Sequence, residues 1–140
     1  MPVRLEKFEI NTKAFCDVID ITSQVQSIIN EGSITTGLVN VHIAGSTGAI
    51  STTEYEPGLV KHDIEDLFEI LIPYQKSYQH HKTWGDHNGA GHLRSFLLKT
   101  SQTFPFHNKK LILGTWQQII FCEFDEKPRR RTIYCQLIGE

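Results

Sequence analysis

One stretch of this chain keeps a helical period while most of the sequence around it alternates. Leu59, Val60, Ile64, Leu67, Phe68 and Leu71 recur at the spacing of one helix face, and Pro73 closes the run. Upstream, Val39, Val41 and Ile43 point one way while Leu38, Asn40 and His42 point the other, which is the period of a strand with one buried face. Residues 3–10 alternate more loosely, through Val3, Leu5, Phe8 and Ile10. A second helix is expected from Thr22, read as its N-cap, with Val25, Ile28 and Ile29 inward and Asn30-Glu31-Gly32 ending it. A short third helix is expected beyond residue 91, with Leu93, Phe96 and Leu97 inward. Strands are expected over 49–55, 104–106, 111–113, 116–124 and 129–138. The last two read as a hairpin about Asp125-Glu126-Lys127-Pro128, which would set Cys122 opposite Cys135. The sum is α+β: a single compact domain over 1–140 with a mixed or antiparallel sheet and about three helices.

At 140 residues the chain is long enough to bury one core without staples. Its 39% hydrophobic and 21% charged residues exclude a disordered chain. A net charge of −2 supplies no positive field for nucleic acid or an anionic membrane, so neither is an expected partner. No run approaches the ~18 apolar residues of a membrane span, and the charged Met-Pro-Val-Arg-Leu-Glu-Lys start lacks a leader's apolar core. A cytoplasmic protein is the expectation. Cys16, Cys122 and Cys135 are odd in number and far apart, unlike a disulfide framework or a C-x-x-C zinc ribbon.

Four of the seven histidines fall in one segment, at His80, His81, His87 and His92. Imidazole and carboxylate together are the donors of catalytic metal sites, and Asp86 stands among these histidines. Gly85, Gly89 and Gly91 would let the backbone turn close to a ligand. The same composition also describes a solvated polar loop. Glu54, ending a neutral strand, reads as a ligand or base, or as a plain strand-end charge. Gly45-Ser46-Thr47-Gly48 reads as a phosphate nest, with Ser46 and Thr47 touching substrate, or as a β-turn. Arg129 and Arg131 face one side of a strand and Arg130 the other, offering either phosphate contacts or ion pairs. Trp84 and Trp116 are core or cleft-wall candidates.

Several blocks occur in a specific order: Glu54-Tyr-Glu-Pro-Gly-Leu-Val, Trp84-Gly-Asp86-His-Asn88-Gly with His92-Leu-Arg94, Leu113-Gly-Thr115-Trp116-Gln117-Gln118, Pro128-Arg-Arg-Arg131 and Gly139-Glu140. Together they resemble the YjbQ-like family, over about residues 5–140. The resemblance implies a compact α+β homotrimer, a divalent metal in several members, and a link to thiamine phosphate synthase activity. It makes His80 and His92 metal ligands, His80 with Tyr78 in a Tyr-x-His position. Glu54, Asp86 and Arg94 become the catalytic set by the same likeness, with Asn88 in the acidic, glycine-rich turn. Many members read Pro-His-Thr-Thr-Ala where this chain has Ala44-Gly45-Ser46-Thr47-Gly48, so the family's first histidine is Gly45 here. Glu54, Asp86 or water would then complete a shell on zinc, or on the harder magnesium or manganese.

The activity so implied is a transferase joining a phosphorylated pyrimidine to a phosphorylated thiazole. The metal would offset charge on leaving-group oxygens. Arg94 and Arg130 would hold phosphate, and Thr115 and Gln117 would supply polar contacts. Alternatives are a metal-dependent hydrolase of small phosphoesters and a non-catalytic trimeric binding protein.

Overall fold

A computed structural model describes all residues, Met1–Glu140. Strands β1 (Val3–Asn11) and β2 (Asp17–Asp20) precede helix α1 (Thr22–Glu31); β3 (Gly37–Ile43) and β4 (Gly48–Glu54) follow. A π-helical turn, Leu59–Asp63, runs into α2 (Ile64–Leu71), then come α3 (Gln79–Trp84) and α4 (Gly89–Leu98). The chain ends in β5 (Ser101–His107), β6 (Lys110–Leu111), β7 (Gln117–Glu123) and β8 (Arg130–Gly139). The fold is α+β, with every strand pair antiparallel.

The strands form two sheets, one ordered β1-β8-β3-β5-β6 and one ordered β2-β7-β4. Between them lies the larger core. Val39, Val41, Ile133, Cys135, Leu137 and Phe106 of the first sheet meet Ile50, Ile119 and Phe121 of the second, with Val25, Ile28 and Ile29 of α1. The opposite face of the small sheet carries a second core, where Val18, Ala49, Ile120, Cys122 and Phe124 cover Phe68 of α2. Both faces of β7 are therefore buried, which accounts for its unbroken apolar run Ile119-Ile120-Phe121-Cys122.

Several sequence expectations are corrected here. The β7–β8 hairpin does not form. β7 is flanked on both sides, by β2 and β4, so its two ladders are filled and β8 crosses to the other sheet. Cys122 accordingly faces Val18 and Ala49, whereas Cys135 faces Glu6 and Val41. Burial pushes the thiols of Cys16 and Cys135 up to about 12 and that of Cys122 higher still, so all three stay protonated. Helices number four rather than three, because the polar segment after Pro73 contains α3 and the start of α4. Thr22 is the first helical residue rather than the cap; its hydroxyl donates to Asp20 at 2.7 Å. In α4 the inward residues are Gly91, Arg94 and Ser95, and Leu93, Phe96 and Leu97 are exposed. Trp84 and Trp116, expected in a core or cleft wall, are 76% and 73% exposed in the single chain.

Candidate functional site

The C-terminal end of β3, the N-terminal end of β4 and the two short helices α3 and α4 converge at one end of the small sheet. α3 ends at Gly85, whose φ of +71° is a left-handed cap that a side chain would strain. α4 starts four residues on, and its first turn is pressed against the sheet. A Cβ at Gly91 would stand 2.5 Å from the Phe124 carbonyl oxygen. Ser95 Oγ donates to the Gly48 carbonyl at 2.6 Å, fastening the same helix to β4. His81 joins the two helices: its Nε2 accepts the Gly89 N–H at 3.0 Å.

This scaffold brings together His80, Asp86 and His92. The imidazoles of His80 and His92 lie 4.6 Å apart between centroids, tilted by 45°. His92 Nδ1 is 3.1 Å from the Ser46 carbonyl; a carbonyl only accepts, so Nδ1 carries the proton and Nε2 holds the free lone pair. His80 Nδ1 lies 3.2 Å from Asp86 Oδ1, without the alignment of a hydrogen bond. Both of those atoms, and Asn88 Oδ1 on the same segment, are buried without a hydrogen-bonding partner. Buried polar atoms are seldom left so, and three on one short segment mark a place where a bound group would complete the bonding. Imidazoles anchored through Nδ1 to an oxygen acceptor are also the usual form of metal-ligating histidine. No three His, Cys, Asp or Glu side chains close on one point. The site therefore gathers two imidazoles without a third such donor at the same point.

Behind the histidines stands a charged network. Asp125, nearly buried, accepts from Thr47 Oγ1 at 3.1 Å, from Arg129 Nη2 at 2.7 Å and from Asn88 Nδ2 at 3.4 Å. Burial pushes the Asp125 carboxyl up, but the Glu126 N–H, Arg129 and Asn88 outweigh it and hold it below the usual carboxylate range. Arg131 Nη2 donates to Thr47 Oγ1 at 2.8 Å and pairs with Glu123. Thr47 is thus buried and engaged on both sides, whereas Ser46 is exposed beside His92.

The other expected residues lie elsewhere. Glu54 ends β4, about 20 Å along the strand from Gly48 at ~3.3 Å per residue, and is paired with Gln117. Gln117 donates to Thr52 Oγ1 at 3.2 Å, and Thr115 is exposed in the preceding turn. Arg130 pairs with Glu9 on the outer strand. Arg94 is 1% exposed: it pairs with Glu69 at 2.7 Å, donates to the Ile72 carbonyl, and sits among the rings of Phe68, Tyr74 and Phe124. Its guanidinium is spent on holding the turn after α2, so the geometry does not support a phosphate-holding role for it. Sequence reasoning missed Asp125 and the link from His81 to Gly89; the acidic turn before Arg129 was the available signal for the first.

Fold and site together define a class: a small two-sheet α+β protein with a paired-imidazole site at one end of the three-stranded sheet. A sequence model of the family described as "UPF0047 protein YjbQ-like" matches residues 6–140, and the chain belongs to that family. It is 39% identical over 140 residues to a UPF0047 protein of Methanothermobacter thermautotrophicus, covering 100% of this chain and 95% of that one. YugU of Bacillus subtilis is 35% identical over 135 residues, covering 96% and 99%. Among solved structures, a YbjQ-like protein of unknown function from Sulfolobus solfataricus superposes with a TM-score of 0.92 at 31% identity, covering 99% of both chains. A hypothetical protein from Aeropyrum pernix gives 0.90 at 30% identity, covering 98% and 99%. No helix is long and apolar enough to cross a membrane.

Proposed function

We propose that this chain is a transferase acting on phosphorylated small molecules, with His80 and His92 as its working groups. The observation that carries the reading is the pair of imidazoles 4.6 Å apart, each with Nδ1 turned to an oxygen and Nε2 in no hydrogen bond within the chain. An imidazole so held presents its Nε2 lone pair to a bound cation. The Ser46 carbonyl fixes the orientation of His92, and Asp86 lies 3.2 Å from His80 Nδ1. In thiamine phosphate synthesis the thiazole nitrogen bonds to the pyrimidine methylene carbon as the carbon–oxygen bond to diphosphate breaks. The electron pair leaves on the diphosphate, whose developing charge the site would have to offset. A divalent cation, with zinc the best match to imidazole, would be held by the Nε2 lone pairs of His80 and His92 and would supply positive charge to the departing oxygens.

The test supplies both substrates with magnesium, manganese or zinc and measures thiamine phosphate. Product above background, abolished by His80→Ala and by His92→Ala, supports the reading; background product with every cation sinks the synthase activity. A carboxylate beside His80 also suits a site that activates water, so phosphoester hydrolysis is the second reading. A screen of small phosphoesters separates the two.

We also infer self-association as a homotrimer. Trp84 and Trp116 are both about three-quarters exposed in one chain, which is apolar surface that neighbouring copies would cover. Light scattering behind gel filtration should return three times the 16.0 kDa chain mass; a monomer would overturn it.

A further inference from the structure

With Arg94, Arg129, Arg130 and Arg131 all paired to carboxylates, none of the arginines suggested by the sequence is left free to bind an anionic substrate. Next to His92 is an open cavity of about 660 Å³ lined by Gly45, Ser46, His92, Phe96, Lys99 and Ser101, among others. No acidic residue lines it, and Phe96 is its one apolar wall. Its only full cation is Lys99, whose Nζ lies 5.2 Å from the centroid of the Phe96 ring. Ser46 and Ser101 are exposed there, and the peptide at Gly45 has no side chain to fend off a ligand.

Lys99 is also the most strained residue of the region. At φ +79° and ψ +154° it occupies backbone space that is otherwise nearly confined to glycine. It is kept there by two backbone bonds: its N–H donates to the Ser95 carbonyl at 2.9 Å, and its carbonyl accepts from the Ile50 N–H at 3.2 Å. These bonds tie the end of α4 to β4, and a glycine would make both without strain. A lysine at such a position is explained if its side chain contributes something that glycine lacks.

We infer that Lys99 and the hydroxyl-lined cavity between it and His92 form an anion subsite, which receives the phosphate or diphosphate group of the substrate. The ammonium supplies charge, and the serine hydroxyls supply donors. Lying against His92, the subsite would place a bound diphosphate oxygen next to the imidazole pair. This deepens the reading of the site given above and rests on it for the role of His92.

The test measures binding without turnover. Pyrophosphate is titrated calorimetrically into wild type, Lys99→Met, Lys99→Gly and Lys99→Arg. Wild type should bind, Lys99→Met and Lys99→Gly should weaken binding about tenfold or more, and Lys99→Arg should largely retain it. Lys99→Gly should at the same time melt at a higher temperature than wild type, because glycine relieves the backbone strain. No binding by wild type at millimolar pyrophosphate, or equal binding by Lys99→Met and wild type, overturns the subsite. Lys99→Gly melting below wild type overturns the strain argument. Lys99-dependent binding with no thiamine phosphate formed would sink the synthase and leave the subsite standing. Product formed with a KM indifferent to Lys99 would do the reverse.

Discussion

Arg131 of β8 donates from Nε to Glu123 of β7 at 2.6 Å, so an ion pair joins one sheet to the other where the chain crosses between them. Glu123 has no exposed surface, and its remaining lone pairs accept from Thr12 Oγ1 at 2.9 Å and from the Asp125 N–H at 3.2 Å. The pair takes the place that a hairpin ladder would otherwise hold, fastening β8 to β7 by side chains rather than backbone.

Removing one partner should therefore cost more than removing both. Glu123→Leu leaves a mostly buried guanidinium unpaired and should lower unfolding free energy by about 3–5 kcal/mol. The double variant Glu123→Leu/Arg131→Met should recover a good part of that loss. Urea denaturation of the two singles and the double checks it; additive losses would mean the residues are not coupled.

Asp125 should shape the acid limb of stability. Its carboxyl is held below the usual range in the folded chain, so the stabilisation it gives is present above the unfolded value, about 3.9, and is lost as pH falls through the folded one. Wild type should thus lose stability below about pH 4. Asp125→Asn should be less stable at pH 7 and show a shallower loss below that point. Thermal melts from pH 7 to pH 3 test this; parallel curves for the two proteins would place the acid sensitivity elsewhere.

These two carboxylates show where sequence reading stops. The alternation of Val39, Val41 and Ile43 did report a strand facing a core, and the apolar run through Ile119 to Phe124 did report another. Which sheet β8 joins was not legible, because it depends on β2 and β4 already occupying both edges of β7. The inward face of α4 was misread for a related reason. Gly91 and Ser95 face inward because the helix approaches the Phe124 and Gly48 carbonyls too closely for larger groups, which turns Leu93, Phe96 and Leu97 outward. Residue type alone marked His80, Asp86 and His92. It could not mark Lys99, whose distinguishing feature is a dihedral angle.

Zinc should raise the melting temperature of the wild-type chain and leave His80→Ala/His92→Ala unmoved. An ion bound only by the folded state stabilises it by RT ln(1 + L/Kd), where L is the free ion concentration. With two imidazoles and no third gathered His, Cys, Asp or Glu, binding should be weak enough that dialysis strips most of the metal. Scanning fluorimetry with and without zinc, beside elemental analysis of the dialysed protein, reads both. An equal shift in the double variant would put the ion somewhere else on the chain.

Arg94 should prove structural. Its side chain is buried against Phe68, Tyr74 and Phe124, and two of its donors serve the Ile72 carbonyl and Glu69. Arg94→Met keeps much of the volume but orphans that carbonyl and releases the turn between α2 and α3. Because Glu69 is partly exposed, the loss should sit at the lower end for a buried pair, about 3 kcal/mol. Below the melting transition, the pyrophosphate affinity of the folded protein should stay within about threefold of wild type, a shift of under 1 kcal/mol. Calorimetry at low temperature, beside denaturant unfolding, distinguishes the roles: a fold that keeps its stability but loses its pyrophosphate would return Arg94 to the ligand site.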